Sequence, residues 1–500
     1  MAWKVYHQFE FVEAALDATR PAFSDARCFE WFRTYALGQI CHKDELGVSS
    51  AVRALGTDAN SYNSMLHIFR SEAWSSGSLG DAWRRFVAAQ PGLARVGGRL
   101  LLDSDGVKVS KEGKRMPGVK IHHQESGTSS KAEWIFGHLF GGLGVVFGEP
   151  GSCCCVPLTV DMQDGMRTAA GWEEAEGLGI SGESHPVQSV RRGFEGARAL
   201  GEPCLLAMDR YFLGRPALAA WLEESGRAVA DGLPEGLVHI VTKAKSSAAF
   251  WFDPPERVPG RPGRPRKRGD KFKVAREADG LRWETVEVRA GGGERTRVRC
   301  ATLDLLWGEG LYVPVRLVVV REEGRADQYL VCTDRTMAAA DIIEAYVLRW
   351  EIEVTFRDMK QEVMGFSYHF WSKSMPELAG IPKKGQRQGD ALEGVDGPDG
   401  RAAVLRAYEA IERHVAVSCV ACGILQLLAL REPEDGEVAC ATFTRTPKAR
   451  SVSPRTVRVF LRDRVSLFLA CAEGSEMAEF CREHAVGEGG YRPKGVVSRE

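Results

Sequence analysis

The stretch 346–360 constrains the fold more than any other part of this sequence. Its side chains recur at the spacing of an α-helix, about 100° per residue, and separate into two stripes. The apolar stripe can pack on a core and consists of Leu348, Ile352, Phe356, Met359 and Val363. The polar stripe consists of Tyr346, Arg349, Glu353, Arg357 and Lys360. The pattern predicts a helix with one buried face and one presented face.

The polar stripe has the composition of a site for phosphodiesters. Arginine and lysine bind phosphate oxygens, and the carboxylate of Glu353 is free to bind a metal ion. Glu351 falls off the stripe and is the weaker candidate. A solvated helix with an ion pair between Glu353 and Arg357 is the alternative interpretation.

Two further acids are predicted at strand ends. The segment 99–106 is typical of a strand running into a turn and offers Asp105; Asp103 is its rival, because residues two apart on a strand face the same side. A buried strand at 203–209 ends in Asp209, at the carboxyl end where α/β sheets place their sites. Asp161 and Asp164 also follow a strand and are the alternatives to Asp209.

Three carboxylates in one place predict a metal site, because without a cation they would repel one another and resist ionisation. Displacement at a phosphodiester requires stabilisation of both the attacking and the leaving oxygen, which two divalent cations supply. We therefore expect Asp105, Asp209 and Glu353 to hold two Mg²⁺ ions, with Mn²⁺ as a substitute.

The spacing Tyr-x2-Arg-x3-Glu-x6-Lys in the stretch 346–360 resembles the signature of a large group of bacterial insertion-sequence transposases of the Asp-Asp-Glu class. The resemblance implies a cut-and-paste DNA transposase, which cleaves at the ends of the element and then joins the freed 3′-hydroxyl to DNA. It implies double-stranded DNA as the partner, both terminal inverted repeats and target DNA, and a homodimer on paired ends. A catalytically retired, transposase-derived DNA-binding protein and a stand-alone ribonuclease H-like nuclease are the alternatives.

The resemblance also bears on individual residues. The pair Asp105 and Gly106 resembles the family's first acid motif, and Lys108 and Lys111 suit a mouth lined for phosphates. Tyr346, Arg349 and Lys360 would grip phosphates near the scissile bond. Members with a β insertion often excise through a DNA hairpin, in which an aromatic of the insertion stacks on a flipped base; Trp307 or Trp283 could do so.

The order of predicted elements, antiparallel strands and then helix, strand, helix and strand, is that of a ribonuclease H-like α/β domain. Between residues 242 and 346 a mostly β insertion precedes the helix with Glu353, an architecture similar to that of the same transposase group. We predict a helical DNA-binding region at 1–95, the first part of the catalytic core at 96–250, a basic and β-rich insertion at 251–335, the second part of the core at 336–432, and a helical C-terminal region and tail at 433–500.

Two segments are predicted to contact DNA outside the core. Residues 48–55 and 59–70, separated by a turn at Gly56, resemble a helix-turn-helix reader. We expect its second helix to pack through Tyr62, Met65, Leu66 and Phe69 and to present Asn60, Ser61, Asn63, Ser64 and Arg70. The run 257–273 is extended by prolines and glycines and can follow a phosphate backbone. Its central cations are Arg264, Arg266, Lys267 and Arg268.

Composition limits the remaining choices. A formal net charge of -1 argues against coating DNA through global charge, so contacts must come from local basic surfaces. The 13 cysteines form no paired framework, which favours reduced thiols in the cytosol. The longest apolar run, 415–430, is shorter than the roughly 20 residues of a membrane span and predicts a buried helix. We expect a bacterial cytoplasmic protein that is nucleoid-associated when bound to DNA.

Overall fold

The computed structural model describes residues 7–44, 47–123, 133–212, 214–256, 264–289, 291–378, 390–432, 436–442 and 452–487. The fold is α/β, with one mixed sheet and helices packed against it. Five helices precede the sheet in the described part of the chain, as the sequence predicts for this region. They are α1 (His7–Asp17), α2 (Ala26–Ile40), α3 (Val48–Leu55), α4 (Ala59–Ile68) and α5 (Ser76–Ala88).

Helix α3 has the predicted bounds and α4 begins where predicted but ends at Ile68, two residues early; Gly56 between them takes the left-handed conformation at φ 64°. The prediction of which side chains pack is wrong at two positions. Tyr62 is 39% exposed, whereas Ser61 is buried. The reason is local, because the Ser61 backbone N–H and hydroxyl both donate to the carboxylate of Asp58, which caps α4.

The sheet contains thirteen strands among the described residues. They are β1 (Arg95–Val96), β2 (Arg99–Ser110), β3 (Lys120–His123), β4 (Trp134–Glu149), β5 (Ser152–Met162), β6 (Cys204–Met208), β7 (Val238–Ala244), β8 (Ala249–Trp251), β9 (Lys271–Lys273), β10 (Glu284–Arg289), β11 (Arg295–Trp307), β12 (Val313–Arg321) and β13 (Gln328–Cys332). Strands β2, β6 and β7 are mutually parallel, and the other pairings are antiparallel.

The main path through the sheet runs β3-β4-β2-β6-β7-β13-β12-β11-β8-β9, with β5 also paired to β4. The β-rich segment therefore continues the sheet directly, because β13 pairs with β7 along Thr242 and Val331. A run of backbone hydrogen bonds thus joins the strands at 251–335 to those at 96–250.

The remaining helices cover the faces of the sheet and form the C-terminal part. They are α6 (His185–Leu200), α7 (Arg215–Ala230), α8 (Val274–Glu277), α9 (Ala339–Leu348), α10 (Glu351–Gln361), α11 (Gly397–Ala429), α12 (Pro454–Cys471) and α13 (Glu476–Glu483). By length and composition α11 could cross a membrane, but 94% of its most apolar window is buried inside the protein. It is the predicted buried helix of the core.

The stretch 346–360 is two helical segments rather than the single helix predicted. Helix α9 ends at Leu348 and α10 begins at Glu351, although Arg349 and Trp350 between them keep right-handed helical dihedrals. The chain tightens here, since the Trp350 N–H donates to the carbonyl of Val347 three residues earlier. The apolar stripe is buried as predicted.

Candidate active site

Two of the predicted acids are neighbours on adjacent strands. In the parallel pair β2 and β6, Ser104 is aligned with Met208, so the next residues along the two strands are Asp105 and Asp209. Parallel strands lie about 4.8 Å apart. Asp209 directly follows β6, and its backbone carbonyl accepts a hydrogen bond from the Thr242 hydroxyl at 3.0 Å. The sheet therefore places these two carboxyl groups side by side.

The third predicted acid reaches the same place from α10. Arg349 Nη1 lies 3.5 Å from Asp105 Oδ2, and Arg349 Nη2 lies 3.1 Å from Glu353 Oε1. The guanidinium thus links the strand to the helix. Electrostatic contacts of Arg349 with Asp105, Asp209 and Glu353 show that all three acids surround one cation.

The surroundings of Asp105 in this cluster raise the pKa of its carboxyl group. Burial raises it to about 7, and the negative charges of Glu353 and Asp209 act in the same direction. A hydrogen bond from the Gly106 N–H, at 2.7 Å, and the charge of Arg349 oppose that rise. Asp105 therefore changes its charge near neutral pH, which is a property of functional carboxyl groups more often than of surface ones.

Asp103, the rival of Asp105, lies deeper on the same face of β2. Its side chain is completely buried, and burial raises its pKa well above the ordinary value. Arg349 opposes that rise, whereas Glu351 and Asp105 add to it. Burial disfavours the charged form of Asp103, so Asp105, which contacts Arg349, stays the preferred acid of β2.

Asp161, one alternative to Asp209, lies on the other face of the sheet. Gly142 is aligned with Asp105, and a Cβ there would meet the ring of Phe356 in α10. Asp161 is aligned with the next residue of β4, Gly141, which faces the opposite way. The structure therefore separates Asp161 from the acids around Arg349.

Both alternatives also have cationic partners of their own. Asp161 forms an ion pair with Arg192 of α6. Asp164 lies 3.0 Å from Lys120 Nζ, and its pKa is lowered, because the Lys120 charge and hydrogen bonds outweigh its burial. These pairings account for the two carboxylates without a metal ion.

The polar stripe is only partly presented. Arg357 and Lys360 are exposed on α10, whereas Arg349 is 8% exposed. The Arg349 guanidinium lies 5.6 Å from the centre of the Tyr346 ring. Burial raises the pKa of Tyr346 to about 12, which keeps its hydroxyl protonated. The stripe therefore exposes two cations, Arg357 and Lys360, whereas Tyr346 and Arg349 lie farther inside the protein.

The lysines expected at the mouth of the site hold other segments instead. Lys108 Nζ donates to the carbonyl of His123 at 2.6 Å. Lys111 Nζ donates to the carbonyls of Phe366 and Tyr368, and burial lowers its pKa to about 7. Lys111 is thus engaged inside the protein, whereas Lys108 uses one of its three donors, so its place at a phosphate-lined mouth stays a prediction.

The described part of the basic run offers five exposed cations, Arg264, Arg266, Lys267, Lys271 and Lys273; residues 257–263 lie outside the described residues. Arg268 behaves differently. Its guanidinium lies 5.0 Å from the ring centre of Trp251 and 5.4 Å from that of Tyr312, so it contributes to packing.

A cavity that the sequence did not reveal opens beside Asp209. It has a volume of about 380 Å³, and its lining includes three cations and two indoles: Arg210, Arg215, Lys245, Trp251 and Trp307. The one sequence signal for it is that Arg210 directly follows Asp209. Trp283, the other tryptophan considered, packs against the guanidinium groups of Arg299 and Arg321.

The donor groups around Arg349 have the right chemistry for Mg²⁺, because carboxylate oxygens are the ligands of hard cations. Their arrangement is not yet that of a closed metal site. Within the described ranges, no three histidine, cysteine or acidic side chains lie close enough together to hold one ion. At this site Arg349 supplies positive charge to all three acids, and Lys243 adds a second cation near Asp209.

Residues 178–373 match the family model of the transposase DDE domain. The predicted resemblance is thereby confirmed, and the match is consistent with an insertion-sequence transposase of the Asp-Asp-Glu class. It supports a transposase-type function with DNA as the substrate. The matched range includes Asp209 and Glu353, whereas Asp105 precedes it. No curated protein matches the chain.

Proposed function

We propose that this chain is a DNA transposase that cleaves strands at the ends of an insertion sequence and joins them to a target by a cut-and-paste route. The observation that carries the proposal is the convergence of Asp105, Asp209 and Glu353 on Arg349. The match to the transposase DDE domain supports the same reaction class. We assign 96–250 and 336–432 to a ribonuclease H-like core around this cluster.

We propose that the three acids hold two Mg²⁺ ions, for which Mn²⁺ can substitute. The ions would supply stabilisation of the negative charge on the attacking and leaving oxygens. The chain contributes the positions of the carboxylates: β2 and β6 align Asp105 with Asp209, and packing of α10 on the sheet presents Glu353.

The surrounding cations would bind and orient the DNA. Exposed Arg357 and Lys360 lie one and two turns beyond Glu353 on α10, where they can contact the backbone that enters the site. Tyr346 and Arg349 would contact the phosphate nearest the scissile bond. We propose that the exposed cations of the basic run, with Arg268 packed behind them, contact DNA farther along.

The cavity beside Asp209 supports excision through a DNA hairpin. Its cations suit phosphates, and Trp307 in its wall offers a π-face to a flipped base. A base held there would lie next to the strand end that carries Asp209. Trp283 is the weaker candidate, because arginine side chains already pack on its ring.

Two ends must be cut together, so we propose a homodimer on paired terminal inverted repeats, followed by capture of target DNA. Region 1–95 would select the ends through exposed Asn60 and Asn63 of α4 and through exposed Arg70 just after that helix. We place the protein in the bacterial cytoplasm, associated with the nucleoid when it is bound to DNA.

The direct test is the variant Glu353→Gln, with Glu351→Gln on the same helix as its matched control. We expect Glu353→Gln to lose strand cleavage and to keep terminal-repeat binding in a gel-shift assay, since the amide removes one negative charge and little volume. Full cleavage by Glu353→Gln would overturn the proposal. Lost cleavage by Glu351→Gln alone would move the third acid to that residue.

A further inference from the structure

The guanidinium of Arg349 occupies a position between carboxylates that a divalent metal ion would also occupy. Its guanidinium lies between a carboxylate of β2 and a carboxylate of α10, 3.5 Å from Asp105 Oδ2 and 3.1 Å from Glu353 Oε1. The side chain is 10% exposed, compared with 20% for Asp105 and 37% for Glu353. The inner side of the acid cluster is therefore closed by an arginine.

A divalent cation and this guanidinium cannot share the position. Oxygen ligands lie about 2.0 to 2.6 Å from Mg²⁺, Mn²⁺ or Ca²⁺, so carboxylates on one ion approach more closely than they do across a guanidinium. Like charges held near one another in a partly buried site also repel. The three acids accordingly stand too far apart for one ion in the part of the chain that the structure describes.

Apart from the acids, Arg349 has few polar contacts. Its buried Nε–H has no hydrogen-bond partner within the described ranges. Its other polar neighbour is Tyr346, which hydrogen-bonds with the Arg349 side chain and whose ring centre lies 5.6 Å from the guanidinium. The residue also stands in the tightened turn between α9 and α10, outside both regular segments. Neutralising the acids with another cation would remove most of what keeps the guanidinium in place.

We infer that Arg349 is an internal counter-ion of the acid cluster, which competes with divalent cations for Asp105 and Glu353 and swings outward when they bind. This inference rests on the proposed function, because it assumes that the acids are the metal ligands. Metal binding and phosphate binding would then be coupled, because the guanidinium released by the acids becomes available to the DNA backbone. Before metal binds, the same arginine keeps the acids from repelling one another.

The test measures Mn²⁺ binding by the full chain without DNA, by titration calorimetry or by the paramagnetic resonance signal of free Mn²⁺. The variant is Arg349→Met, which keeps the length of the side chain and removes its charge. Arg413→Met is the matched control. Arg413 is also buried, at 8% side-chain exposure, and its Nη2 lies 3.0 Å from Glu409 four residues away on the same helix.

We expect Arg349→Met to bind Mn²⁺ about 5- to 150-fold more tightly than the wild type, the usual range for coupling between two sites. Arg413→Met should bind as the wild type does. Unchanged or weaker binding by Arg349→Met, with measurable binding by the wild type, would overturn the inference and leave the metal site intact. Absence of Mn²⁺ binding in all three proteins would overturn the proposed metal chemistry as well.

A second measurement needs no variant and so avoids any folding defect. Phenylglyoxal modifies accessible arginines, and mass spectrometry measures the modified fraction of each arginine. Mn²⁺ should increase modification of Arg349 in the wild-type protein and leave Arg413 unchanged. Equal or reduced modification of Arg349 at saturating Mn²⁺ would show that the guanidinium stays in place, against the inference.

Discussion

Gly142 of β4 lies directly beneath the ring of Phe356 in α10. A Cβ at residue 142 would stand 2.8 Å from two ring atoms of Phe356, which is closer than such atoms approach in proteins. Phe356 is three residues from Glu353 on the same helix. The missing side chain of Gly142 therefore sets how closely the helix that carries Glu353 approaches the strand next to Asp105.

Gly142→Ala should displace α10 and weaken both folding and catalysis. We expect a loss of about 1–3 kcal/mol in the free energy of unfolding, as for overpacked cores, together with slower strand cleavage. Denaturant unfolding and a cleavage assay measure the two effects. Gly171→Ala is the control, since nothing lies within 4 Å of a Cβ there. Equal behaviour of both variants would show that the close approach has no consequence.

Lys360→Ala should lower DNA affinity and end cleavage with little change in stability. Lys360 is exposed on α10, where substitutions typically change stability by less than about 0.5 kcal/mol. Loss of one phosphate contact reduces the slope of log affinity against log salt by about 0.9. Gel-shift titrations at several salt concentrations provide the slope. Unchanged slope and cleavage kinetics would remove the phosphate role.

Asp105 should make stability depend on pH when chelator keeps divalent ions away. Its folded pKa is raised to about 7, so between the ordinary pKa of about 4 and pH 7 the folded chain binds more protons than the unfolded chain. The Asp105 contribution therefore favours folding at low pH and is lost as the pH rises toward 7.

Asp105→Asn removes that contribution. Relative to the wild type, its free energy of unfolding should rise between pH 4 and pH 7 by at most about 4 kcal/mol and stay constant above pH 7. Denaturant unfolding at each pH measures the difference. A difference that is independent of pH would mean that Asp105 titrates at its ordinary pKa.

Trp307→Ala should slow excision after the first nick. Stacking on an aromatic side chain contributes about 1–3 kcal/mol per base, so we expect roughly a tenfold loss in hairpin formation or in its equivalent second step. Trp283→Ala is the matched control from the same β-rich segment. Gels that resolve nicked, hairpin and released products separate the steps. Equal rates for the two variants would argue against a base-stacking role of the cavity beside Asp209.

Local chemistry made many elements predictable. The helix His185–Leu200 is one that local sequence predicts, because Pro186 suits its first turn and Gly201 takes the left-handed conformation after it. The strands Cys204–Met208 and Val238–Ala244 follow from short runs of apolar residues between turn residues. The periodicity of the stretch 346–360 likewise predicted which side chains are buried.

Contacts between distant segments were not predictable in the same way. The pairing of Thr242 with Val331 leaves no mark in either local sequence, so the continuation of the sheet through β13 did not follow from the pattern. The burial of Arg349 and the use of Lys111 by backbone carbonyls depend on segments that meet only in the folded chain. The roles of Asp105, Asp209 and Glu353 stay predictions that the variants above address.

The pairing of β13 with β7 has a mechanical consequence. β7 is hydrogen-bonded on one side to β6, which ends one residue before Asp209, and on the other side to β13 of the β-rich segment. A hydrogen-bonded sheet resists stretching, so DNA bound by the β-rich segment would be kept at a fixed distance from the acids. The position of strand cleavage would then be set by that distance from the bound DNA rather than by the base sequence at the cleavage point.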